Sequence, residues 1–475
     1  MESVKSNEIM VQLDGIGHHP ILRKIGKIAD SLQLETYVVG GFVRDILLGR
    51  ASKDIDIVCI GDGMVLAEAV AKYKAVSVSL FKSFGTAMLQ WNGWVVEFVG
   101  ARKESYLLGS RHPSVSAGTL PDDQMRRDFT INAMAISLNK EGYGRLLDPF
   151  NGHRDLIDGL IRTPCDPKQT FSDDPLRIMR AIRLAAQLHF SITPETLVAM
   201  TAVRDRLGIV AQERISEELH KMMATDRPTY GFKLLFDTNL LSIVLPELQS
   251  LSGKEQIGCH SHKDNLLHTL EVLDNLVKYS SKLWLRWAAV LHDIAKPLTK
   301  KFDPVHGFSF HGHEELGARM LPKLFKKMRF PISKEVLGYV QKLVRLHLRP
   351  IALVKEVTDT AIRRLLYEVG DDLEDLFLLC RADITSKNEI KVQHYLANLD
   401  KVQKRVLEVE ARDKVRNFQP VITGAVIMET FALKPSAQVG LIKEAIKEAI
   451  LEGTIKNEYE EAFNYMLLIG KRYKL

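Results

Sequence analysis

Asp54 and Asp56 stand one residue apart in the apolar run DIDIVCI (54–60). Alternate residues of a strand share a face, so these two carboxylates point the same way. Without a cation they repel. Their oxygens can converge on hard divalent ions such as Mg2+. Glu97, in WVVEFVG (94–100), is a third carboxylate inside an apolar run. Upstream, YVV leads into Gly40 and Gly41, then FVRDILLG. Paired glycines let the backbone approach a ligand closely. A helix starting there aims its first amides at an anion. Arg44 lies about one turn in and can reach the same phosphates, and Gly49 caps the helix end. Such a set suits two-metal nucleotidyl transfer, in which one ion activates an attacking hydroxyl and the other steadies the leaving pyrophosphate. A solvent-facing edge strand explains DxD alone, but not DxD behind this glycine turn. Glu97 can also pair with a lysine across the sheet.

A second group lies in DDPLRIMR (173–180). Asp173 or Asp174 caps a helix, and Pro175 fits its first turn. Asp174 and Arg177 are three apart and share a face. A carboxylate only accepts hydrogen bonds and a guanidinium only donates. The pair therefore matches a base edge with an amino donor beside ring acceptors, as in cytosine and adenine. Uracil and guanine would aim a carbonyl at the carboxylate, costing roughly 1–3 kcal/mol. The alternative is an exposed ion pair of little energetic worth.

Histidines crowd residues 260–350, in CHSHKDNLLHTLEV, WAAVLHDIAKP, FHGHEELGA and LVRLHLRP, with LLCRADIT following. An apolar helix rarely buries an adjacent His-Asp pair such as His292-Asp293 without a task. His268, His292, Asp293, His313, His347 and Asp383 together can hold a metal ion or a metal pair. Imidazoles and carboxylates suit Mn, Fe, Ni or Mg rather than structural zinc. Lys296 can bind a substrate phosphate. His260, His262, His306 and His311 have no assigned part.

GGFVRDILLGRASKDIDIV (40–58) resembles the head motif of the class II tRNA nucleotidyltransferases and bacterial poly(A) polymerases. The likeness continues in order through GARKESY (100–106), RRDFTINAMAI (126–136), LLDPFNGHRDL (146–156), DDPLRIMRAIRLAAQLHF (173–190) and ERISEEL (213–219). It implies a flexible loop, a ribose-reading motif, a head-to-neck motif, a base-reading helix and its support. Under it, Asp54, Asp56 and Glu97 are catalytic, with Mg2+ on the first two. Gly40, Gly41, Arg44 and Arg127 hold the triphosphate, with Arg126 and Arg214 as further candidates. Asp128 accepts from a ribose hydroxyl, and Asp174 with Arg177 forms the base template. Arg180 and Arg183 line a phosphate or RNA channel, or merely solvate a face. The order H…HD…H…H…D resembles the HD phosphohydrolase superfamily, which hydrolyses phosphate esters with metals. The end of the chain resembles the family's tail, but Gly424-Ala425 and Pro435-Ser436-Ala437 weaken its glycine turn. Helix 440–452 is then equally a packing element.

The resemblance implies an α+β fold: a polymerase-β-like head with a mixed sheet, then an all-α neck, an HD-type body and a tail. Expected bounds are 20–160, 161–250, 251–395 and 396–475. The implied activity is addition of C and A to a tRNA 3′ end from CTP and ATP. Poly(A) polymerase is the nearest rival. Against it, Lys82-Ser83-Phe84 stands where those enzymes tend to carry a Gly-Arg-Arg-Phe-like signature. CC-only addition is disfavoured by the full-length loop at 103–121, and A-only addition stays open. A metal phosphohydrolase with an RNA-binding head, or a non-catalytic RNA binder, are readings of other classes.

Bulk properties agree. The chain has 475 residues, 46% hydrophobic and 26% charged, which fits several folded domains. A net charge of +6 permits a polyanionic partner. The four cysteines show no CxxC spacing and read as reduced thiols of a cytoplasmic protein. No run reaches membrane-span length, and no signal pattern opens the chain.

Overall fold

The computed structural model describes residues 8–9, 19–105, 114–257, 260–261, 264–354, 358–386, 388–416 and 418–473. The chain divides into two compact units, Met1–Leu245 and Pro246–Leu475.

The head of the first unit alternates short helices with strands β1 (Glu8–Ile9), β2 (Thr36–Val39), β3 (Asp54–Cys59), β4 (Val78–Phe81), β5 (Thr86–Trp91), β6 (Trp94–Gly100), β7 (Arg102–Ser105), β8 (Ser114–Ala117), β9 (Ala135–Ser137) and β10 (Leu146–Leu147). Eight form one mixed sheet in the order β1-β10-β9-β2-β3-β6-β5-β4, and β7 pairs with β8 apart from it. β3 sits inside this sheet, antiparallel to β2 and parallel to β6. That placement removes the edge-strand reading of Asp54 and Asp56. The helix Pro20–Ser31 and α2 (Gly63–Lys74) pack against sheet strands through Leu22, Ile25, Leu66 and Val70, all buried. Each such side chain contributes roughly 1.5–3 kcal/mol.

The β2–β3 connection is α1 (Gly41–Leu47). Gly40 has φ 74°, and a Cβ there would lie 2.9 Å from Asp56 Oδ2 and 3.2 Å from Arg127 Nη1. No other residue fits that position without displacing them. Gly49, at φ 65°, follows the helix end as expected. α1 is only seven residues long, so its dipole is small beside the arginines nearby.

α3 (Leu120–Met125) precedes the RRD segment and opens with a capping box from Thr119 and Asp122. Past the sheet the unit is helical. α4 (Leu176–Leu188) buries Ile178, Met179, Ile182 and Ala185, leaving Arg177, Arg180, Arg183 and Gln187 on a more open stripe. α5 (Gln212–Met223) packs against it and buries Ile215, Leu219 and Met222.

The second unit is nearly all helix. α6 (Asn265–Val277), α7 (Leu283–Leu291), α8 (His313–Lys327), α9 (Lys334–Leu346), α10 (Asp359–Val369) and α11 (Leu373–Asp383) precede the long α12 (Glu389–Asp413). α13 (Gly424–Thr430), α14 (Ala437–Glu452) and α15 (Tyr459–Arg472) close it. Ile427, Ile442, Ile446, Ile450, Met466 and Ile469 form one apolar cluster among those last three helices. α14 therefore serves as a packing element. Among the described residues, no helix is long and apolar enough to cross a membrane. Cys59, Cys165 and Cys380 are free thiols.

Candidate functional site

The first site is a cavity of about 670 Å³ within the first unit. Its walls include Gly40, Gly41, Arg44, Asp54, Asp56, Glu97, Arg127, Asp128, Arg180 and Arg183. Strand alternation puts Ile55 and Ile57 into the core and turns Asp54 and Asp56 to the cavity. Parallel pairing sets Glu97 directly beside Asp56. Burial raises the pKa of Asp56, with Asp54 adding to it against the pull of Arg127. Burial and the Asp56 charge raise that of Glu97, against Arg102. Clustered acids in want of counter-charge, offering only oxygen donors, fit a hard divalent cation.

The arginines come with partners. Asp123, fully buried, accepts from Arg126 Nε at 2.9 Å and from Arg127 Nη2 at 2.8 Å. Arg126 also donates to Glu104 at 3.0 Å. Arg126 does not line the cavity, while Arg127 does. Arg44 is 7% exposed and donates to Asp45 at 2.9 and 3.0 Å and to Asn132 Oδ1 at 2.8 Å. Arg183 donates to the buried Glu218 and to Gln187.

Asp128 is engaged at both oxygens. Oδ1 accepts from Phe129 N at 2.9 Å and Asn132 Nδ2 at 3.0 Å. Oδ2 accepts from Arg180 Nε at 2.7 Å and lies 2.6 Å from its Nη2. A carboxylate offers about four lone-pair positions, so all are taken. Burial alone would raise the Asp128 pKa, but Arg180, with Asn132, holds it far below the usual carboxylate range. A carboxyl depressed in the folded state stabilises above its unfolded pKa, and that stability is lost as pH falls through the folded value. Arg180→Met is therefore expected to cost roughly 1–3 kcal/mol at pH 7. The Tm gap to wild type should narrow below about pH 4, near the unfolded carboxyl pKa. A gap constant from pH 7 to pH 3 would assign the loss to packing.

Like Arg126, three further expected residues lie outside the cavity lining. Asp174 Oδ1 accepts from Leu176 N at 3.2 Å. Arg177 donates to the carbonyls of Arg126 at 2.5 Å and Thr170 at 3.3 Å. The two side chains face different partners, and neither lines the cavity. Arg214 is exposed on α5, also outside it. Sequence reasoning missed Asp123, Asn132 and Glu218. The spacing of Asp123 to Arg126 and Arg127 was a readable signal, being i,i+3 and i,i+4. Of the loop at 103–121, residues 106–113 lie outside the described residues.

The second site lies wholly in the second unit. His292 and Asp293 follow the last turn of α7 rather than sitting within it. α6 supplies His268, α8 begins at His313, His347 caps α9, and α11 ends at Asp383. All six converge. Asp293 Oδ2 lies 3.2 Å from His292 Nε2 and 3.6 Å from His268 Nε2. Its Oδ1 lies 3.1 Å from His313 Nε2 and 3.9 Å from His347 Nε2. Asp383 Oδ1 lies 2.9 Å from His268 Nε2 and 3.5 Å from His292 Nε2.

Backbone carbonyls fix the tautomers of three of these histidines. Nδ1 of His292, His313 and His347 each lies 2.7 Å from a backbone carbonyl, of Ala289, Phe310 and Val344 respectively. A carbonyl only accepts, so each Nδ1 carries the proton and each Nε2 presents a lone pair. Those three Nε2 atoms are buried without a hydrogen-bond partner. Lone pairs facing carboxylates repel unless a cation lies between them, which is the pattern of a metal centre. Without one, burial opposes charge on His292, yet Asp293 and Asp383 draw its pKa up to about 10. Burial and the His292 charge push His347 down to about 4. The ligand atoms of His268, His292 and Asp383, and of His292, Asp293 and His347, lie within metal-sharing distance of one another. Thr385, not foreseen, meets His268 Nδ1 at 2.9 Å. Lys296 Nζ sits 2.5 Å from Asp293 Oδ2, countering that charge. His306 is exposed and bonds Asp303, and His311 is exposed. His262 and the side chain of His260 lie outside the described residues.

Comparison with known proteins follows the same division. Residues 36–162 match the poly A polymerase head domain, 189–251 the probable RNA and SrmB-binding site of polymerase A, and 265–387 the HD domain. The chain is 32% identical over 377 residues to the multifunctional CCA protein of Nitrosococcus oceani, covering 76% of this chain and 87% of that protein. It is 30% identical over 443 residues to the CC-adding tRNA nucleotidyltransferase of Thermus thermophilus, covering 91% and 93%. A solved CCA-adding enzyme in an apo form shares the fold, with a TM-score of 0.64 at 22% identity over 94% of this chain and 95% of that one. The α+β head with helical parts behind it, and the ordered motifs that fill it, thus place this chain in the tRNA nucleotidyltransferase family with a poly(A) polymerase-type head and an HD domain, and make it a nucleotidyltransferase.

Proposed function

We propose that the protein adds C and A to a tRNA 3′ end, taking CTP and ATP and releasing pyrophosphate. The observation that carries this reading is the convergence of Asp54, Asp56, Glu97, Gly40, Arg127 and Asp128 on one cavity. In this reading, Asp54 and Asp56 hold Mg2+, which when bound lowers the pKa of the attacking hydroxyl and neutralises the departing phosphates. Gly40, Arg44 and Arg127 orient the triphosphate, so that the RNA's terminal ribose oxygen bonds to the α-phosphorus as the α–β bridging bond breaks. Asp128 meets the nucleotide's ribose hydroxyl, which takes one of the acceptor positions now filled by Arg180. Arg180 is then released toward phosphate. Asp174 and Arg177 read the base, and Arg177 keeps N–H groups beyond those given to the two carbonyls. Head, neck, HD body and tail act as four parts, near the bounds drawn from the sequence.

The test is addition to a tRNA lacking its last three nucleotides, with each triphosphate alone and in pairs. CTP with ATP should complete three additions, and CTP alone should stop after two. Long A tracts would indicate a poly(A) polymerase, arrest after CC a CC-adding enzyme, and a requirement for a CC-ended primer an A-adding enzyme. Replacing Asp174 or Arg177 by alanine should relax exclusion of UTP and GTP by about 5- to 150-fold, the worth of one unpaired acceptor contact. Unaltered exclusion would refute the template.

The HD centre supports a second activity, hydrolysis of phosphate esters. Asp293 turns Oδ2 toward His268 and His292 and Oδ1 toward His313 and His347, so these residues with Asp383 would hold a divalent metal, which would activate water for attack on a phosphate ester. The mixed imidazole and carboxylate donors favour Mn, Fe or Ni.

A further inference from the structure

We infer that Asn132 is a positioning residue for nucleotide addition, coupling the arginine on the triphosphate side of the cavity to the carboxylate on its ribose side. This rests on the nucleotide orientation proposed above. Asn132 is 5% exposed and lies on the cavity wall. Its Oδ1 accepts from Arg44 Nη1 at 2.8 Å, and its Nδ2 donates to Asp128 Oδ1 at 3.0 Å. Arginine only donates and an ionised carboxylate only accepts, so these partners fix the amide's orientation.

Asn132 is the neutral middle of a chain running Asp45–Arg44–Asn132–Asp128–Arg180. Every link outside it is an ion pair. Asparagine is suited to the middle place because it accepts at one end and donates at the other. Aspartate would keep the bond to Arg44 but set a charge against Asp128. Alanine would keep neither bond.

The backbone under Asn132 is clamped from behind. It ends the turn Thr130–Asn132. Thr130 N donates to Arg162 O at 2.9 Å, and Thr130 Oγ1 donates to Asp155 Oδ2 at 2.7 Å. A Cβ on Gly152 would lie 2.2 Å from Thr130 O, so only glycine permits this approach. Asp148 holds Gly152 by accepting from its N–H at 2.7 Å. The LLDPFNGHRDL segment thus fixes where the amide stands, and the amide fixes the separation of Arg44 and Asp128.

The experiment compares Asn132→Ala and Asn132→Asp with wild type and Asp54→Ala in single-nucleotide addition with ATP and with dATP. Asn132→Ala should lower kcat/KM for ATP by about 10- to 100-fold, the range for losing bonds to charged groups, and should reduce the preference for ATP over dATP. Asn132→Asp should keep KM for ATP near wild type, since Arg44 retains its acceptor, and should also lose the ribose preference. A merely structural role would not move the ATP-to-dATP ratio. Wild-type preference in either folded variant overturns the inference, and failure of both to fold assigns Asn132 to stability and also overturns it. An active Asp54→Ala would sink the underlying orientation. An inactive Asp54→Ala beside unaffected Asn132 variants sinks this inference alone.

Discussion

Asp56→Ala is expected to reduce incorporation of labelled CTP and ATP into a truncated tRNA by on the order of a thousandfold or more. Asp56 lies inside the sheet beside Glu97, with its carboxylate against Gly40 and burial already opposing its charge. In the proposed reading a metal ion balances the charge that Arg127 and Arg180 only partly offset. Removing the carboxylate deletes one anchor of that cation and leaves its neighbours to hold what remains. Each tenfold in rate corresponds to about 1.4 kcal/mol, so a loss of roughly 4 kcal/mol of charge stabilisation accounts for the effect. Triphosphate binding should fall far less, because Arg44 and Arg127 are untouched. Asp56→Asn keeps the shape and should be nearly as inactive. Incorporation above about a tenth of wild type in Asp56→Ala would remove the metal role.

Asp293→Asn is expected to lower divalent metal affinity of the second unit by more than about 100-fold, beyond what loss of an outer partner costs. Its two oxygens face four histidines, so a single substitution weakens both halves of the centre. The isosteric amide limits cavity effects around a site where His292 and Asp293 are almost wholly buried. Metal analysis after dialysis, with Mn2+ or Ni2+ supplied, reads the loss. Hydrolysis of a chromogenic phosphate ester should fall with it. Nucleotide addition should stay near wild type, since every group proposed for that reaction lies in the first unit. Unchanged metal content would return these side chains to a structural role.

Local rules carried much of this. Strand alternation placed Asp54 and Asp56 on one face, and the Gly40 turn holds a positive φ that a side chain would spoil. The helices from α4 onward followed their apolar stripes. The order H…HD…H…H…D singled out six residues that the fold brings together. The strand face, the glycine turn and the helical stripes depend on neighbours within a few residues, where backbone geometry fixes direction.

Tertiary structure decided which charges are engaged. Arg126, read as a triphosphate contact, is held by Asp123 and Glu104, and Arg177 is spent in part on backbone carbonyls. Arg214 turned out exposed and apart from the cavity. The HD pair fell at a helix end, where four other segments can reach it. Asn132 had a local signal for only one of its partners, because Asp128 is four residues away but Arg44 is 88 residues away. From its residues alone, the chain marked groups whose types and spacing suit nucleotidyl transfer and metal binding. The fold decided which remain available, because a hydrogen bond or ion pair between distant segments depends on distance in space, which sequence spacing does not encode.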